Sequence, residues 1–189
     1  GWLGEMGLQD FAGGSVVHIT AGVAALVAAM SLGGRRGFGQ TAMPPHNLTM
    51  TVTGAGMLWV GWFGFNAGSA VAADSSAAMA MEWLRHGKPS VLGIVTGMVA
   101  GLGTIPPASG SVGPAGAVVI GLSAGVICYF ATITLKNRLG VDDSLDIFPI
   151  HGVGRMLGLS MAGIFCLPSL GLFSGDGFSD GIDGIGGQV

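Results

Sequence analysis

The chain has 189 residues, with seven Lys and Arg against ten Asp and Glu for a formal net charge of -3. Half of its residues are hydrophobic and only 9% are charged, where a soluble domain carries about 25% charge. This composition excludes a soluble globular domain and a basic nucleic-acid-binding module, and points to an all-α, polytopic transmembrane bundle in a bilayer.

The opening "GWLGEMGLQD" has no initiating Met, no basic leader and no small-residue cleavage pattern. It reads as an inter-helix loop, so the chain is expected to be an internal piece of something longer. The charges fall in short polar breaks, and between them lie stretches near the roughly 20 residues that a helical crossing needs. These predict spans over about 11–32, 48–73, 91–108, 112–135 and 147–172, within a single partial transmembrane domain covering 1–189.

In the first span Gly14, His18 and Gly22 share one helical face, as do Gly54, Leu58 and Trp62 in the second and Gly97 and Gly101 in the third. Small faces let helix backbones approach where lipid supplies no hydrophobic drive. "LGGRRGFGQ", "WLRHGKPS" and "LKNRLG" are assigned to the cytoplasmic side, and the acidic segments around Asp10 and Asp176 to the outside. That alternation fails between residues 70 and 83. "VAADSSAAMAME" supplies only about 18 Å of helix against a hydrocarbon core of about 30 Å, so one crossing is expected to be missing.

The remaining breaks have structural readings. "WVGWFGFNAGSA" ends the second span with residues suited to an interfacial belt, or with Phe65 as a plug above a lumen near Ser69. "IPPASGSVGPAGA" reads as an outer loop. In "VDDSLDIF" the carboxylates of Asp142, Asp143 and Asp146 precede the last span, where Asp146 or Ser144 would cap the helix and where acids suit an N-terminus. Asn47 is a fair cap for the second span. Cys128 and Cys166 lie in apolar runs with no second ligand at metal spacing and read as packing residues. His46 and His86 fall in cytoplasmic turns and receive no role. No phosphate loop, nucleophile triad, metal-ligand spacing or nucleic-acid patch is present.

Two histidines stand inside apolar spans, His18 in the first and His151 in the last. An ionisable side chain in a span is a functional hypothesis by default, set against the simpler reading of a neutral imidazole bonded to a neighbouring helix. Two buried imidazoles most easily satisfy their ring nitrogens by facing each other.

Taken together and in order, "DFAGGSVVHI", "PHNLTMTVTGAGMLWVGWFGFNAGSA", "GKPSVLG", "PASGSVGPAGA" and "VDDSLDIFPIHGVG" resemble the ammonium transporter (Amt/Mep/Rh) family across nearly the whole chain. The resemblance implies a homotrimer of multi-pass subunits in a plasma or inner membrane, each with its own pore between two inverted halves, and no cofactor or bound metal. It implies that His18 and His151 are paired pore histidines and that Phe65 belongs to an outer gate. Trp62 would line the lumen, Ser69 would recruit ammonium at an outer vestibule, and Asp10 would be the carboxylate beside it. By their place before the last span, Asp143 and Asp146 are expected to mark its cytoplasmic end. The partners implied are ammonium or ammonia, lipid and a cytoplasmic regulatory protein.

The chain departs from the family pattern in lacking its leading helices, in the short stretch at 70–83, and in Pro106 where the family usually has Thr. It also has Arg155 in "HGVGRMLG" where the family usually has Gly. That guanidinium falls four residues after His151, on the same face, with no evident carboxylate partner within the spans. The rival expectations are an inactive truncated relative, an ammonium sensor with little flux, and an intramembrane bis-histidine metal or haem protein.

Overall fold

A computed structural model describes residues 2–8, 10, 12–65 and 90–175, without the side chains of 63–65. Helix dominates, and no strand occurs among the described residues, so the architecture is the all-α bundle that the composition requires. The short α1 spans Trp2–Glu5; α2 spans Thr20–Leu32 and continues directly from a π-helical segment, Ser15–Ile19. Then come α3, Leu48–Phe65, α4, Val91–Thr104, and α5, Pro114–Ile133. A second π segment, Thr134–Arg138, prolongs α5, and a third, Phe148–Val153, runs straight into α6, Gly154–Phe165. Ser15–Leu32, Val91–Ala108 and Pro114–Arg138 are each long and apolar enough to cross a membrane.

Local chemistry explains where these helices begin and end. Asn47 Oδ1 accepts from Met50 N at 3.0 Å at the start of α3, and Ser90 Oγ accepts from Gly93 N at 2.9 Å at the start of α4. Pro114 opens α5, where its missing N–H costs nothing. Gly33 closes α2 with φ +76°, a conformation that favours glycine, and donates to Ala29 O at 3.1 Å.

The interior is built around α4, which packs against α3, α5 and α6. Trp62 of α3 meets Leu102; Ala100 joins Cys128 and Ile150; Ile105 and Ala108 join Ala117, Ile120 and Ala162. Both cysteines are buried and free, within this packing. By contrast α2 and α3 turn much apolar surface outward, including Val27 and Met30, Met57 and Val60. On an integral membrane protein such surface faces lipid or further helices.

Two expectations change here. The segment 105–117 is not simply a loop: Pro106, Pro107 and Ala108 form a 3-10 turn that is fully buried, with α6 packed on it. Of the three small-residue faces, those of Gly14, His18 and Gly22 and of Gly97 and Gly101 are buried, but Gly54 and Leu58 are exposed. The stretch 70–83, where a crossing is expected to be missing, lies outside the described residues.

Candidate functional site

The site is made by the contact between α2 with its π segment and the π segment that leads into α6. Close approach depends on glycine. A Cβ built on Gly22 would lie 2.5 Å from Gly152 N and 2.7 Å from Gly152 Cα, so no larger residue fits without moving the backbones apart. One turn back from Gly22 is His18, and next to Gly152 is His151. Their Nδ1 atoms lie 2.9 Å apart, with ring planes 9° from parallel and centroids 5.0 Å apart.

The imidazoles therefore meet edge to edge through one hydrogen bond. One Nδ1 donates and the other accepts, so the two rings hold a single proton between them and must adopt complementary tautomers. Both histidines stand in π-helical segments, His18 in Ser15–Ile19 and His151 in Phe148–Val153. A π segment carries extra residues per turn and so re-aims its side chains; such segments recur at functional sites. Trp62 packs beside the pair, its ring centroid 5.7 Å from that of His18.

Toward one end of the bundle, Asp10 receives Gly14 N on Oδ1 at 2.8 Å and Ser15 N on Oδ2 at 2.7 Å. Both oxygens thus cap the helix that carries His18, where a carboxylate also meets the positive end of the helix dipole. Between this cap and the histidine pair lies Arg155. It is fully buried, and none of its Nε, Nη1 and Nη2 finds a hydrogen-bond acceptor among the described residues. Its Nη1 is 2.7 Å from where a Gly14 Cβ would stand, a position also 3.1 Å from the Pro107 ring. The guanidinium is thus wedged at the glycine step of α2.

At the opposite end the charges are paired. Arg35 donates from N and Nε to Asp142 Oδ2, each at 2.8 Å, and from Nη2 to Oδ1 at 2.7 Å. The Arg35 hydrogen bond holds the Asp142 carboxyl below its ordinary range, and the same bond raises Arg35. Asp143 Oδ2 accepts from Phe148 N at 2.7 Å, so the side chain of Asp143, and not that of Asp146 or Ser144, caps the start of the last helical run. Asp146, at φ +56°, instead pairs with Lys136 Nζ at 2.6 Å, while its burial raises its carboxyl. Phe65 ends α3, but its side chain and the whole of Ser69 lie outside the described residues.

Apolar helices long enough to cross a bilayer, packed through glycine around a facing imidazole pair, define a membrane-integral helical protein, multi-pass in form. The profile of the Ammonium Transporter Family matches residues 1–81 and 75–188. The chain belongs to that family. It is 45% identical over 192 residues to "Ammonium transporter Amt1" of Archaeoglobus fulgidus, a match covering 93% of this chain and 49% of that protein. It is 46% identical over 188 residues to "Ammonium transporter" of Aquifex aeolicus, covering 90% and 44%. Among solved structures it is similar to Mep2 of Candida albicans, with TM-score 0.83 and 33% identity over 100% of this chain and 47% of that one. A structure described as "Sensor Amt Protein" matches with TM-score 0.84 and 28% identity, over 100% and 51%. The chain spans about half the length of the relatives it matches.

Proposed function

We propose that this chain forms the histidine-bearing part of an ammonium transporter, a conducting protein and not an enzyme, which passes ammonia along the His18 and His151 pair. The observation that carries this reading is the 2.9 Å contact between the two Nδ1 atoms inside apolar helices of a family member. A charged ammonium ion pays heavily to cross a narrow apolar lumen. Neutral ammonia does not, yet it still needs hydrogen-bond partners inside. Two imidazoles sharing one proton offer a donor and an acceptor in fixed orientation, and histidine also suits a separate proton relay.

In this reading Trp62 lines the lumen beside His18, and Phe65 gates its outer mouth. Ser69 helps to recruit ammonium there; Asp10 contributes by fixing the helix end that carries His18. Asp143 and Asp146 secure the cytoplasmic end of the last span. The five spans over about 11–32, 48–73, 91–108, 112–135 and 147–172 assemble as one partial transmembrane domain, the complete protein is a homotrimer, and a regulatory protein docks on the cytoplasmic face.

A metal or haem reading fits less well. No group of three or more His, Cys, Asp or Glu that could hold a metal ion stands together among the described residues. The test is ammonia-driven alkalinisation of proteoliposomes carrying the chain. Uptake above protein-free vesicles that His18→Ala and His151→Ala abolish supports conduction past the pair. Uptake indifferent to both substitutions overturns it.

A further inference from the structure

Arg155 is the buried group that conduction does not explain. Its guanidinium is a cationic group, and it is fully enclosed, with no acceptor for any of its three nitrogens among the described residues. Its place is fixed on both sides. Gly14 precedes His18 by four residues and Arg155 follows His151 by four, so both stand about one turn from the histidine layer. The two segments run in opposite directions, and the contact of Nη1 with the Gly14 position brings both residues into the same layer.

Asp10 is the acid bound to Gly14, the residue against which this guanidinium packs. It lies one step further toward the end of the bundle, with both oxygens occupied by Gly14 N and Ser15 N. A cation moving inward from the Asp10 end would meet the carboxylate first and the guanidinium second, before the imidazoles. His18 and His151 are the titratable groups on the other side of Arg155, and they bring no negative charge to offset it. In a water-poor interior, repulsion between like charges is several times stronger than in bulk water, and an arginine in a pore wall is a known physical means of excluding cations.

We propose that Arg155 is a specificity-determining residue that refuses cations access to the histidine pair while leaving neutral ammonia free to reach it. This rests on the conduction reading for its physiological meaning, but charge exclusion can be measured without transport. Methylammonium, a cation at neutral pH, is titrated calorimetrically into the detergent-solubilised 189-residue chain and into Arg155→Lys, Arg155→Met and Arg155→Gly. Met keeps the length of the side chain without the charge, and Lys keeps the charge.

The expected result is that Arg155→Met and Arg155→Gly bind methylammonium about tenfold or more tightly than the parent, while Arg155→Lys stays with the parent. Equal affinity in all four proteins, or binding in none, overturns the proposal. Ammonia-driven alkalinisation of proteoliposomes separates this from the wider reading. If the parent is no faster than empty vesicles while methylammonium affinity still follows the charge, conduction fails and charge exclusion stands. If the parent conducts ammonia but affinity ignores the charge, conduction stands and the role of Arg155 fails.

Discussion

Arg35 and Arg155 lie toward opposite ends of the bundle and live under opposite rules. The side chain of Arg35 is 47% exposed, yet it is bound three times by Asp142. Arg155 is 0% exposed and has no acceptor among the described residues. Water could have satisfied Arg35, so its ion pair contributes little net stability. Arg155 has no such exposure and no acceptor among the described residues, so its burial there is a cost that the rest of the bundle must offset. Charge near the aqueous end anchors a loop; charge in the interior is retained at the expense of stability.

The largest effect should come from the glycine contact on which the histidine layer depends. Gly22→Val would drive side-chain carbons into the Gly152 backbone, and we expect a loss of about 3 kcal/mol with separation of His18 from His151. Thermal unfolding in detergent checks the first, and loss of the contact between the imidazoles checks the second. Arg155→Met should raise stability by about 2 kcal/mol, because it removes a buried charge without emptying its volume. Arg155→Met melting lower than the parent would erase the contrast between the two arginines.

Asp142→Asn should cost about 1 kcal/mol at neutral pH, the modest figure reflecting the exposure of its partner. Its pH dependence has a definite sign. The Asp142 carboxyl is held below its ordinary value of 3.8 in the folded protein. Its stabilisation is therefore fully present above that value and is lost as pH falls through the depressed one. Asp146, raised by burial, works in the other direction. The difference between parent and Asp142→Asn, followed by melting across acid pH, isolates Asp142 and should shrink toward zero in strong acid. The smallest effect is expected for Ser90→Ala, about 0.5 kcal/mol, through loss of the Gly93 cap at the start of α4.

Much of this arrangement is legible in the residues themselves. His18 and His151 interrupt apolar runs with small neighbours on both sides, and the expectation that they face each other follows from their unsatisfied ring nitrogens. Asn47 can be read as a cap because its position before an apolar run permits little else. Other features depend on tertiary context. The π segments leave no mark in the periodicity, because one extra residue per turn disappears in a stretch apolar all round. Asp146 and Ser144 read as caps by type and position, but in the folded chain it is the Asp143 carboxylate that reaches Phe148 N. Pro106 and Pro107 read as a loop because prolines break helices, yet an apolar turn can bury as well as any helix once α6 covers it. The four-residue spacing from His151 to Arg155 shows which face the guanidinium shares; its depth depends on Gly14 and Pro107, far away in sequence.

The most direct test of the account is the state of the shared proton. Nitrogen NMR on the histidine-labelled chain in bilayers reads the tautomer of each ring and any scalar coupling across the bond between them. The account predicts one protonated and one bare Nδ1, coupled to each other, with Arg155→Met preserving that coupling. Two imidazoles both protonated at Nε2, with uncoupled Nδ1 atoms, would contradict it.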